Sequence, residues 1–149
     1  MIKYRKTERE ILISAYKRIK KRSTIDACCD APLLGRCADL VYIAKNKLFS
    51  VEFKLKDWKK AIKQARDHRL GADYAYICMP ERKVSVEMRE EIRRSGLGLI
   101  FYRKQGRWPF KEIIKAPKSI DTWKIAYINL RRYVLSKQSG KRRERLNAK

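Results

Sequence analysis

Apolar residues along this chain recur with two different periods, and the switches between them outline its elements. Ile11, Leu12, Ala15, Tyr16 and Ile19 follow helical spacing and make one apolar stripe. Thr7, with Glu10 three residues on, fits a capping box, so a helix is expected from there to about Lys20. Residues 39–44 and 48–55 read instead as two strands. Lys45, Asn46 and Lys47 form the turn between them, and Asn accepts the left-handed geometry of a tight hairpin. Residues 57–70 return to the helical period, with Trp58, Ala61, Ile62 and Ala65 as the buried stripe and Gly71 as the stop. Residues 72–79 and 97–102 are apolar almost throughout, as expected of strands covered on both faces. Between them Ser85 is a plausible N-cap for a short helix to about Arg94. Glu87 lies near its start, Arg93 and Arg94 in its last turn, and Gly96 just past its end. A turn at Gln105 and Gly106 leads to an edge strand over 108–114. Pro117 then breaks the chain, and a last helix is expected to start near Ser119 or Asp121, with Trp123, Ala126, Tyr127, Leu130 and Val134 inward. The stretch 23–36, with Pro32 and Gly35, is expected to be a short strand or irregular loop.

Charge changes the picture most. The 149 residues carry 39 Lys and Arg against 16 Asp and Glu, a formal net charge of +23. Such an excess repels itself on folding and favours a polyanionic partner. Nucleic acid leads, because neutralised phosphates release counterions; an anionic membrane is the alternative. The hydrophobic content of 44% excludes wholesale disorder, and the length fits one domain, here residues 1–136, followed by a basic, flexible tail over 137–149. No apolar run is long enough to span a bilayer, so no transmembrane helix is expected, and the partner expected is DNA and not a membrane. The N-terminus lacks the apolar segment of a signal peptide, which points to the cytosol or an equivalent interior and not to secretion. Cys28, Cys29, Cys37 and Cys78 form no paired knuckles, and His68 is the sole histidine, which argues against zinc and against a disulfide framework. Lys20, Lys21, Arg22 and Lys56, with Lys141, Arg142 and Arg143 in the tail, are the candidate phosphate contacts.

Candidate chemistry sits in the strand pair. Successive strand residues point to opposite faces, so Glu52 and Lys54 share one face while Val51, Phe53 and Leu55 share the other. A charge pair against an apolar sheet costs free energy unless something uses it. Asp39, on the adjacent strand, is brought to the same place by the hairpin. Phosphodiester hydrolysis needs a positioned water and neutralised phosphate charge. Magnesium on one or two carboxylates supplies much of this, and a nearby Lys assists the phosphate or the water. Glu8 projects close to the apolar stripe of the first helix, whereas Glu10 projects away and reads as a cap. Asp57, Gln64 and His68 border the stripe of the second helix.

Asp39, then Glu52-Phe53-Lys54, then Gln64 on the following helix resembles the PD-(D/E)xK nuclease superfamily. The order of helix, strand hairpin, helix and strand also matches that family's core, over roughly residues 7–102. The resemblance implies an α/β fold with a restriction-endonuclease-like core: a central mixed sheet flanked by helices in αβββαβ order, here with a C-terminal helix added. It implies a DNA endonuclease using Mg2+ or Mn2+. Asp39 and Glu52 would be metal ligands with the Phe53 backbone carbonyl, and Glu8 an added one. Lys54 would assist the water or phosphate, and Gln64 would support the site. Ala38 stands where the motif has Pro, a departure shared by many members. Holliday-junction resolution is one activity within the resemblance and would call for a homodimer. The rival readings are a nucleic-acid-binding module that does not cut, and a basic RNA- or ribosome-associated protein with structural acids. By the simpler reading of each residue, Asp39 ends a loop, Glu52 and Lys54 are a solvated pair, and Gln64 lies on the surface. His68, Tyr74, Tyr76, Trp108 and Phe110 read more simply as packing residues.

Overall fold

The computed structural model describes residues 6–138. Helix α1 spans Glu8–Lys20, and Thr7 caps it by accepting the Glu10 amide. Strands β1 (Asp26–Leu33), β2 (Arg36–Ala44) and β3 (Lys47–Phe53) follow. Helix α2 (Trp58–Arg66) is capped by Asp57 and continues as a 3-10 turn, Asp67–Leu70, ending at Gly71. Then come β4 (Tyr74–Met79), α3 (Val86–Arg94), β5 (Gly98–Tyr102), β6 (Phe110–Ile114) and α4 (Lys124–Ser136). The first six major elements run αβββαβ, the expected order. The six strands form one mixed sheet in sequential order. β1–β2, β2–β3 and β5–β6 pair antiparallel, and β3–β4 and β4–β5 pair parallel.

Each sheet face carries its own core. Leu40, Tyr42, Val51, Phe53, Tyr76 and Cys78 pack against Ile11, Leu12, Ala15 and Ile19 of α1. On the opposite face Ala75, Ile77, Met79 and Leu99 meet Ala61, Ile62 and Ala65 of α2 and Met88 and Ile92 of α3. Beside them Val41, Ile43 and Leu48 meet Leu130 and Val134 of α4. α1 therefore lies on one side, with α2, α3 and α4 on the other. Among the described residues no helix is long and apolar enough to cross a membrane.

Three expectations need correction. The stretch 23–36 forms a full eight-residue strand, β1, and β2 begins at Arg36, three residues earlier than expected. The reason is a two-residue turn at Leu34 (φ 53) and Gly35 (φ 77), which joins β1 and β2 as a hairpin. Helix α4 starts at Lys124 rather than near Asp121, whose carboxylate pairs with Arg69 at 3.5 Å. Trp123 precedes the helix and is 57% exposed instead of inward. Finally, Gln138 is buried and donates from Nε2 to the Ala27 carbonyl at 2.6 Å, so packing continues past the expected boundary at 136. The tail residues Lys141, Arg142 and Arg143 lie outside the described residues.

Candidate active site

The β2–β3 ladder reaches its last regular pair at Leu40 and Val51. One step on, the same register sets Asp39 opposite Glu52. Here a side chain replaces the backbone: Asp39 Oδ2 accepts the Phe53 amide at 2.9 Å. That bond holds the carboxylate where the strands part. Glu52 pairs across to Ile77 on β4, and Ile77 belongs to the core under α2, so Glu52 points into the α2 side of the sheet. Phe53 points the other way, into the α1 core.

Neither acid has an ordinary environment. Glu52 is 6% exposed, and its Oε2 is buried without a hydrogen-bond partner. Burial, followed by the Asp39 charge, pushes the Glu52 carboxyl up to about 8, while Lys54 pulls against this. Burial also raises Asp39, opposed by the Phe53 amide and by a hydrogen bond with Glu52. Two carboxyls in contact cannot both stay charged in a dry site unless a cation joins them; otherwise they share a proton.

Lys54 stands one residue beyond β3, and its amide donates to the Cys78 carbonyl at 3.1 Å. Its side chain is 14% exposed, and its Nζ lies 3.9 Å from Glu8 Oε2. Glu8 Oε1 accepts the Leu55 amide at 3.2 Å. Glu8 thus joins the neighbourhood by clamping the exit of β3 and steadying Lys54. Among the described residues no three His, Cys, Asp or Glu side chains gather as a metal cage. A hydrated hard dication needs only one or two carboxylates, and the Asp39–Glu52 pair with its orphaned oxygen meets that demand.

Sequence reasoning missed two neighbours. Asp30 sits in β1 opposite Asp39, in the gap between the pairs Cys29–Leu40 and Ala31–Ala38. Asp30, Asp39 and Glu52 therefore follow one another across three adjacent strands, but the Asp30 carboxylate turns to α1 while Glu52 faces α2. Asp30 has φ 53, a left-handed conformation that Asp tolerates, and the alternation of β1 slips there. Its carboxylate takes two bonds from Arg9, at 2.9 and 2.8 Å, which neutralise it. The signal was present in the sequence. Asp30 and Asp39 are equidistant from the Leu34-Gly35 turn, and reading that turn as a hairpin would have paired them.

The other candidates divide. Gln64 lies between Ala61 and Ala65 on α2, in the layer over the Glu52 face, and its Oε1 is buried without a partner. His68 is 3% exposed, and burial lowers it to about 4, as for a neutral packing histidine. Lys56 is exposed just past β3, and its carbonyl accepts Arg82 at 3.3 Å. Lys20, Lys21 and Arg22 sit at the opposite end of α1 from Glu8, ~20 Å away at the helical rise. Tyr76, Phe110 and the partly buried Tyr74 and Trp108 pack in the α1 core, and Trp108 meets Tyr42 and Phe110 edge-on. The four cysteines are free: Cys28 and Cys78 buried, Cys29 half-buried, Cys37 exposed.

No protein-family model matches the chain, and no curated protein does. Among solved structures it is similar to an XisH family protein from Nostoc punctiforme, with 14% identity and a TM-score of 0.51 over 69% of this chain and 98% of that one. It also aligns with SfsA of Pyrococcus furiosus in complex with Ca2+, with 9% identity and a TM-score of 0.38 over 70% of this chain and 60% of that one. The first likeness speaks to the fold: an α/β protein with a mixed six-stranded sheet, flanking helices and a C-terminal helix, compatible with the restriction-endonuclease-like class.

Proposed function

We propose that this protein is a metal-dependent deoxyribonuclease that hydrolyses phosphodiester bonds at Asp39 and Glu52. The observation that carries this reading is the pair itself, two carboxyls in contact at the end of a ladder, with a buried Glu52 oxygen lacking a partner. A purely structural role would leave an acid satisfied or solvated. The net charge of +23 supports a polyanionic substrate.

In this reading Asp39 and Glu52 would hold Mg2+ or Mn2+, with the Phe53 carbonyl as a third donor. Bound there, the ion would supply charge neutralisation at the phosphate and a more acidic water. The chain's own groups do the rest. The Phe53 amide fixes the Asp39 carboxylate, and burial keeps the Glu52 carboxylate short of competing water. Glu8 steadies the Lys54 ammonium, which faces the developing phosphate charge. Gln64, with its unpartnered oxygen in the covering layer, supports the pair from α2.

Cleavage of linear, single-stranded and branched DNA with and without Mg2+ or Mn2+ tests the proposal. Asp39→Asn and Glu52→Gln should each lose cutting by about a hundredfold or more while still binding DNA. Undiminished cutting by both variants would remove the site. Tight binding without cutting in either metal would make the protein a nucleic-acid-binding module instead.

A further inference from the structure

The far end of α1 carries a second feature, a pocket of about 590 Å³ lined by Arg18, Lys21, Arg22, Ser23, Thr24 and Arg107. Its lining has four cations, two hydroxyl side chains and no acid. Part of it is rigidly mounted. The Arg18 guanidinium donates to the Arg103 carbonyl, to that of Gly106 at 2.6 Å and to that of Trp108 at 3.4 Å. This ties the end of α1 to the β5–β6 connection. The Arg22 guanidinium lies 5.8 Å from the centre of the Trp108 ring. Lys21 and Arg107 are exposed, and among the described residues neither has an ion-pair partner. A fixed floor with two uncommitted cations at the rim is preorganised for a tetrahedral dianion or a phosphodiester.

The pocket does not stand alone. A groove of about 510 Å³ runs back along α1 past Lys17, Ser14 and Ile13 to Arg9, with Glu10 its single acid, and Arg18 lines both hollows. Arg9 is the residue that binds Asp30, opposite Asp39. One side of α1 therefore runs from the Arg9–Asp30 pair to the basic pocket. The helical rise puts Arg9 and Arg22 ~20 Å apart, about six nucleotides at the axial rise of one duplex strand.

Resting on the nuclease reading for its choice of ligand, we propose that this pocket grips a backbone phosphate of the substrate away from the scissile bond. The grip sets how far the strand must extend beyond the cut.

The test compares two double variants that each remove two positive charges. Lys21→Ala with Arg107→Ala empties the rim of the pocket. Arg93→Ala with Arg94→Ala removes exposed charge from the last turn of α3, outside the pocket lining. Duplex affinity is measured without metal across a salt series, with melting temperatures as the check on folding. The rim variant should bind roughly tenfold more weakly at low salt, with a log–log salt slope shallower by about two. The α3 variant should stay near the wild type. Lys21→Gln with Arg107→Gln repeats the loss with the side-chain bulk kept. Equal losses in the rim and α3 variants, or none in either rim variant, would overturn the pocket. Failure of the wild type to cut would sink the nuclease reading alone, because the salt slope is read without cleavage. Where cutting is seen, substrates reaching fewer than about six nucleotides past the cut on one side should be poor for the wild type. The rim variant should be indifferent to that trimming.

Discussion

Glu52 and Asp39 are costly residues to keep. Folding buries Glu52 against another acid, and its carboxyl rises from the usual 4.5 to about 8. Across that interval the folded protein holds a proton that the unfolded chain has released. Stability from this group is therefore full below about pH 4.5 and declines as pH rises towards 8. Glu52→Gln removes the decline. In metal-free denaturant titrations it should be more stable than the wild type at pH 8 by on the order of 1 kcal/mol, and close to it at pH 5. Equal stability at pH 8 would mean that the pair carries no such conflict. His68 slopes the other way: lowered from 6.5 to about 4, it withdraws stability as pH falls through that range. At this scale the sequence was informative wherever a two-residue alternation settled the matter. Glu52 and Lys54 shared a face on paper, and Asp39 needed only the hairpin. Asp30 stayed hidden because the Leu34-Gly35 turn, which brings it to Asp39, was not read as a hairpin.

Elements were found where their ends are chemically marked, as with Thr7, Asp57 and Ser85, each of which accepts the amide three residues on. They were misplaced where an end is decided elsewhere. Asp121 has the chemistry of a cap but pairs with Arg69, so α4 begins later, behind Trp123 with no side-chain cap. Element contacts also single out Gly98 at the start of β5. An added Cβ would lie 2.4 Å from the Tyr76 ring and 2.7 Å from the Ala116 nitrogen. The ring cannot swing away freely, because the Tyr76 hydroxyl donates to Glu112 and accepts the Ala116 amide. Gly98→Ala should therefore cost about 2–3 kcal/mol, read as a lower urea midpoint at unchanged m-value. A shift of only a few tenths would show that β4 and β5 yield more easily than this packing implies.

For the whole molecule, charge is the dominant property. If DNA is the partner, as proposed, a net of +23 ties its affinity to counterion release, so binding should weaken steeply between 50 and 200 mM salt, by about a thousandfold or more if six phosphates are contacted. Anisotropy titrations across that range check it, and a flat response would rule out a nucleic-acid partner held by charge. The sequence by itself determined this charge, the helix and strand periods, and the acids and lysine of the candidate site. Those properties are set by composition and by neighbours a few residues away. Only the tertiary structure decided that β1 pairs with β2, that Asp39 meets Glu52 across β2 and β3, and that Arg9 binds Asp30 while a basic pocket forms at the far end of α1. The reason is register: which residues meet across strands, and what lies beside a helix, depends on contacts between distant parts of the chain, and local pattern carries little of that information.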